Sequence, residues 1–472
     1  MKKKLLALLL LGCIACGSFA ACGGSSDSDN TTSTPPTSEN SQTSEGAGEG
    51  EGEGGGSAVE AIDYAASVTL DMNSTDTIKQ EATVHLYIDG DTTHFNVPDE
   101  VSVKGNGILK ARYLAVNTPE STGKIEEWGK TASNFTKSKL QAATSIVLET
   151  DKAAWEVDST GERCLVWVWY KTAESDVYRN LNIELLQNGL AIASDAQGNR
   201  YGSVCGQAIN QAMAQKLHVY SDEKDPNFYY GDAQPIDLKE LRLNTKNYNG
   251  VKVAVEGIFT YNDGEAIYLE NYDEEDQLWY GMYVYYGYNA SATLLEILKP
   301  GNYVRVVGSV SEFQGSWQIS GLEYNRRNPD HPNSSKLLGT GYTPANVETS
   351  IEKFRSNVSL EFIDPETEEL STQTYKYTEL CLASSISMKS LKVKSTYTTQ
   401  TGGDSDGAIS ITCEAPDGTK ITVRTAVLLD DQQNVVTADV FKNKTIDVNG
   451  VIDVYNGEYQ IRVLSYKHIT IH

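Results

Sequence analysis

The sequence predicts a mainly β protein of several domains, with an α+β segment nearest its amino end. Three observations carry this. A chain of 472 residues is too long for one ordinary core. Tyrosine outnumbers phenylalanine 27 to 9, and amphipathic rings suit strands that keep one side against water. Beyond about residue 80, most runs alternate apolar and polar residues between turn residues, while three stretches between residues 130 and 217 carry helical spacing instead. The formal charge of -25, with a sequence pI near 4.7, argues against broad electrostatic attachment to nucleic acid. It leaves room for a local basic site.

Residues 1–22 read as an export signal. Lys2, Lys3 and Lys4 precede an apolar run over residues 5–11, and small residues lead to Cys22. The run is too short to cross a bilayer comfortably. "FAAC" followed by "GGSSDSD" resembles a bacterial lipoprotein cleavage site, which implies acylation of Cys22 and a place on the outer face of the cell membrane. Residues 23–57 are rich in Gly, Ser, Thr and Glu. They hold too little apolar surface to offset ordering entropy, so a flexible tether is expected. Four cysteines fall in the folded part: Cys164, Cys205, Cys381 and Cys413. Two bridges within domains and four buried thiols both satisfy that number.

Residues 58–224 form the α+β segment. "TVHLYIDGDTTHFNV" alternates around an Asp-Gly turn and predicts a hairpin. "NGILKARYLAV" adds a strand. Residues 130–143 predict a helix whose Ala132, Phe135, Leu140 and Ala143 face a core. "SIVLET" and "CLVWVWY" are two further strands. Residues 181–191 predict a second helix stopped by Gly189, and residues 201–217 a third.

Three motifs in this segment carry chemistry: "YIDGDT" at residues 87–92, "RYLAVNTPE" at 112–120 and "DSTGER" at 158–163. They place two arginines and at least two carboxylates in one constellation. A carboxylate can deprotonate water, oxygens can hold a hard cation, and guanidinium forks can neutralise charge on phosphorus. Their order resembles the staphylococcal-nuclease (thermonuclease) family over roughly residues 84–221. The resemblance implies an OB-fold five-stranded barrel with three helices. It further implies Asp91, Asn117 and, through its backbone carbonyl, Thr118 as ligands of a calcium ion, Glu120 as general base, and Arg112 and Arg163 as the arginines that grip phosphate. Asn117 stands where some members carry aspartate, which removes one negative charge. Glu162 separates Gly161 from Arg163, where the family usually joins them. Lys124 is a further candidate phosphate contact. Between residues 104 and 139, Lys104, Lys110, Arg112, Lys124, Lys130, Lys137 and Lys139 outnumber Glu120, Glu126 and Glu127. A phosphate-binding face within an acidic body is the expectation.

A polar break over residues 222–235 precedes strands in residues 236–325. A second break, 325–344, leads to residues 345–472. The two segments repeat: Gly308, Val310, Phe313, Gly315, Trp317, Gln318 and Ile319 recur at one constant offset as Gly450, Ile452, Tyr455, Gly457, Tyr459, Gln460 and Ile461. The pattern resembles the closing strands of oligonucleotide-binding barrels and implies two further OB-like β-barrels. Tyr261, Tyr268, Tyr272, Trp279, Tyr280, Tyr283, Tyr285 and Tyr286 could stack bases, with Asp273, Glu274, Glu275 and Asp276 opposing phosphate.

Taken together, these readings lead to a lipid-anchored extracellular nuclease, calcium-dependent and acting on DNA, RNA or both with little sequence selectivity. The rival is a non-catalytic surface protein that binds nucleic acid or another polymer through its barrels. No obligate protein partner is implied.

Overall fold

The computed structural model describes residues 61–472 except 289, 314, 364–369, 402, 404 and 415–417. The expected export signal, Cys22 and the tether lie outside the described residues. The first barrel is built from β1 (Lys79–Asp89), β2 (Thr92–Asn96), β3 (Ile108–Tyr113), β4 (Val116–Asn117), α1 (Gly129–Gln141), β5 (Ala143–Glu149), β6 (Cys164–Thr172), β7 (Arg179–Asn180), α2 (Leu181–Gln187), β8 (Ile192–Ala193) and α3 (Gly202–Ala214). The sheet runs β3-β2-β1-β5-β6-β7 and closes through a parallel β3–β6 pairing. The Asp-Gly signal does produce the β1–β2 hairpin. Ala143, expected on the helix, begins β5 and pairs with Thr172.

Strand β6 shows why this barrel holds. Val166, Trp167, Val168, Trp169 and Tyr170 are all buried, so both faces of the strand are covered. Trp167 and Trp169 meet the Tyr201 ring edge-on at 5.0 and 5.6 Å. Beneath them the buried carboxylate of Glu149 accepts from Trp169 Nε1 at 2.9 Å, Thr77 Oγ1 at 2.7 Å and Tyr201 Oη at 3.0 Å. A buried polar group is tolerable only with such partners.

The second barrel comprises β9 (Gln234–Pro235), α4 (Leu238–Asn244), β10 (Lys252–Asn262), β11 (Ala266–Asp273), β12 (Leu278–Tyr285), α5 (Ala292–Ile297), β13 (Asn302–Phe313), β14 (Ser316–Ser320) and β15 (Lys336–Thr340). The third comprises β16 (Val347–Glu348), α6 (Ile351–Phe354), β17 (Asn357–Ile363), β18 (Leu370–Lys376), α7 (Tyr377–Leu380), β19 (Ser385–Thr398), β20 (Ile409–Glu414), β21 (Lys420–Thr425), β22 (Thr445–Tyr455), β23 (Glu458–Val463) and β24 (Ile469–Ile471). Each closes like the first: its third strand pairs in parallel with its fifth, and its fourth returns to its first. Three OB-like barrels therefore follow one another. Residues 325–344, read as a break, contain β15, which pairs with β13. That strand lacks a long apolar run because it lies at a sheet edge, with Leu337 and Leu338 both exposed.

The sequence repeat has a structural cause. Val310 pairs with Ile319 on β13–β14, and Ile452 with Ile461 on β22–β23. A Cβ on Gly308 would lie 2.7 Å from Ser320 O, and one on Gly450 would lie 2.4 Å from Arg462 O. Glycine stands at both points because the hairpin folds back onto its own backbone there.

The second and third barrels share one apolar core. Tyr261 and Tyr268 pack with Ala383 and Val451 across the seam, joined by Tyr283. Much of the aromatic row expected to meet bases is therefore consumed between barrels. Cys164, Cys205, Cys381 and Cys413 are four buried free thiols.

Candidate active site

The turn after β1 is held tightly against residues 117–120. Gly90 has no room for a side chain, because a Cβ would stand 2.8 Å from both Thr118 Cγ2 and Thr118 Oγ1. From α1, Thr136 Oγ1 donates to Gly90 O at 2.6 Å and fixes the same turn. This approach buries Asp91, whose carboxylate accepts from Thr118 N at 2.7 Å, Thr92 Oγ1 at 3.0 Å and Arg112 Nη1.

Arg112 lies on β3 between Thr92 of β2 and Leu165 of β6. Its fork spans two partners, with Nη2 donating to Asn117 Oδ1 at 2.5 Å. Burial lowers its pKa, as does the charge of Arg163, while Glu120, Asp89 and Asp158 raise it. Arg163 is therefore near enough for its charge to be felt. Its own fork is held by the loop: Nε and Nη2 donate to Asp158 Oδ2 at 2.7 and 2.6 Å, and Nη1 has no partner among the described residues.

Glu120 stands exposed at the rim. Its backbone closes a loop with Glu126, through Glu126 N to Glu120 O at 2.8 Å and Glu120 N to Glu126 Oε2 at 3.2 Å. Partial burial, then a hydrogen bond shared with Asp89 and the Asp89 charge, push the Glu120 carboxyl up to about 7, against the pull of Arg112. Asp89 is the residue that sequence reasoning missed. Buried at the end of β1, its Oδ1 accepts from Ser121 Oγ at 2.7 Å and Gly90 N at 2.8 Å. The first letter of "DGDT" was the available signal.

Asp91, Arg112, Asn117, Thr118 and Glu120 thus gather around one turn, with Arg163 at its edge. Lys124 lines a cleft together with Pro119, Glu127, Trp128, Val219 and Phe228. Its backbone touches the second barrel, since a Cβ on Gly321 would lie 3.1 Å from Lys124 Cα. The inserted Glu162 draws Lys110 to 2.9 Å and Lys104 to 3.6 Å. Lys139 faces Glu184 at 3.8 Å. Part of the expected basic face is thereby neutralised.

The donors at the turn are all oxygens: the aspartates, the Asn117 amide, the Glu120 carboxylate and the Thr118 hydroxyl. Thr118 Oγ1 is buried without a hydrogen-bond partner. Such a set suits a hard cation rather than a thiophilic metal, and in this structure the Arg112 fork supplies the positive charge to Asp91 and Asn117. Among the described residues a tighter acidic group, Asp273, Glu275 and Asp276, occurs in the second barrel. Lys239 Nζ already occupies its centre, at 3.6, 2.9 and 3.0 Å.

Residues 110–222, about a quarter of the chain, match the family model for "Staphylococcal nuclease homologue". No curated protein matches the chain.

Proposed function

From a chain whose residues 110–222 form a staphylococcal-nuclease-family domain, we propose an exported, lipid-anchored phosphodiesterase that cuts DNA or RNA with little sequence selectivity. The observation that carries the reading is the turn itself. One arginine fork bridges Asp91 and Asn117, beside a carboxyl poised near neutral pH. Glu120 takes a proton from water as its oxygen bonds to phosphorus. The bond from phosphorus to the departing nucleoside oxygen breaks, and that oxygen takes a proton from solvent. Arg112 and the outer edge of Arg163 neutralise the phosphoryl oxygens as charge builds on them. Asp91, Asn117 and Thr118 would hold calcium once the Arg112 fork leaves Asp91 and Asn117 for the phosphoryl oxygens, and the ion would supply positive charge against the phosphate. Lys124 contacts the polymer further along the cleft. Sites of this kind meet phosphates rather than base edges, hence the low selectivity. Acylation of Cys22 and the tether over residues 23–57 keep the reaction outside the cell.

The test is incubation of the purified chain with single-stranded DNA in calcium and then in chelator. Cleavage in the first and none in the second is expected. Glu120→Gln should lower turnover about 100-fold or more while leaving the melting temperature unchanged. DNA left intact in both conditions would reject hydrolysis, and retention of that DNA on the protein would favour the binding-only rival.

A further inference from the structure

The third barrel carries a row of outward side chains that the active site does not use. Cross-strand pairing aligns Tyr397 of β19 with Ser410 of β20, Ser410 with Arg424 of β21, and Arg424 with Arg462 of β23. Residues paired in this way share a face, and the inward neighbours Ile411, Val423 and Ile461 are buried. Arg424 Nη1 donates to Thr399 Oγ1 at 2.8 Å and Ser410 Oγ at 3.1 Å. Among the described residues no carboxylate accepts from it. Arg462 sits at the seam, where two acids act on it, Asp453 of its own barrel and Asp263 of the second barrel at 3.6 Å. Two neighbouring guanidinium groups share this row, and burial together with the Arg462 charge lowers the Arg424 pKa.

Acids outnumber bases 64 to 39 in this chain, so a half-buried arginine beside another arginine, with no acid of its own, is poorly compensated. An anion would complete it. Aromatic rings flank the same row: Tyr397 is 61% exposed and Tyr455, at the β22–β23 turn, 68%. The row crosses the second and third strands of the barrel at Ser410 and Arg424, with Tyr397 on the first strand and Arg462 on the fifth. OB barrels take oligomeric ligands there. In the second barrel Tyr268 and Tyr283, paired on the corresponding two strands, pack against the third barrel instead.

We propose that this face of the third barrel captures single-stranded nucleic acid, with phosphates on Arg424 and Arg462 and bases stacked on Tyr397 and Tyr455. The choice of polymer rests on the hydrolytic reading above. The guanidinium pair itself favours an anionic polymer over a neutral glycan.

The experiment measures fluorescence anisotropy of a labelled oligothymidylate of about 12 nucleotides on the full chain carrying Glu120→Gln, so that the probe is not cut. Arg424→Gln and Tyr397→Ala should each weaken binding about tenfold, within the range set by one stacked base, with melting temperatures unchanged. Tyr397 is exposed, so its removal tests the idea even if the arginine variant unfolds. Inorganic polyphosphate should lose affinity with Arg424→Gln and be indifferent to Tyr397→Ala. Unchanged oligothymidylate binding in the tyrosine variant, or displacement by a neutral oligosaccharide, overturns the proposal. A chain with Glu120 intact that binds through Arg424 yet leaves DNA whole sinks hydrolysis and keeps capture. One that cuts but binds equally well without Arg424 and Tyr397 does the reverse.

Discussion

Glu120 is partly buried beside Asp89, and two carboxylates so placed cannot both ionise without cost. The rim carboxyl therefore holds its proton until about pH 7. A base acts only when deprotonated, so the cleavage rate should rise with pH through that region and flatten above it. Asp89→Asn removes the neighbouring charge and should move the rise to lower pH, read from kcat/KM across pH at constant ionic strength. A profile that stays in place would mean the two groups are not coupled. Glu162 acts on the opposite flank, where it engages Lys110 and Lys104. Exposed pairs of this kind contribute less than about 1 kcal/mol, so Glu162→Gln should lower KM by about two- to threefold at low salt, with the gain lost at high salt. The inserted position of Glu162 was visible in the sequence, as were both arginines. The holding of Arg163 by Asp158 was not, since five residues of loop can fold in many ways.

Helix α1 begins without a local cap. Trp128 precedes it in the left-handed region, at φ +68, and its side chain makes no capping hydrogen bond. Asp225 fills that role from the segment after α3. Its buried carboxylate accepts from Trp128 N at 2.7 Å and Thr131 Oγ1 at 2.9 Å. Because α1 also pins Gly90 through Thr136, this remote cap steadies the turn of the candidate site. Asp225→Ala should cost about 1–2 kcal/mol, the ordinary worth of an N-cap. It should lower both the melting temperature and turnover; calorimetry paired with a cleavage assay checks this, and a fall in melting with unaltered turnover would uncouple the cap from the turn. The helix was legible because its apolar spacing is local. Its cap was not, because donor and acceptor lie 97 residues apart in a stretch that reads as a linker. The β1–β2 hairpin lay at the other extreme, with turn and alternation both inside a few residues.

Between the second and third barrels the chain has buried polar groups whose partners come from both sides of the seam. Glu270 accepts from Ala345 N at 2.8 Å, Ser385 N at 2.7 Å and Ser385 Oγ at 3.0 Å. Arg242 is held by the carbonyls of Gly281 and Leu382, and burial pushes it down to about 10. The repeat was readable from glycine and aromatic spacing, but spacing within a repeat says nothing of which face meets the other copy, so the tyrosines looked free. Glu270 makes the seam sensitive to pH. Burial raises its pKa above the ordinary carboxylate value of 4.5, although all three donors favour the charged form. Between the unfolded and folded values the native state holds the extra proton. The stabilisation is therefore complete below that window and declines as pH rises through it. The C-terminal pair should accordingly melt at progressively lower temperature as pH climbs above about 4.5, and Glu270→Gln should flatten that slope in calorimetric scans. Were the slope to persist in the glutamine variant, the titrating group would have to lie outside the seam. A flattened slope would instead tie the union of the two barrels to one buried carboxyl.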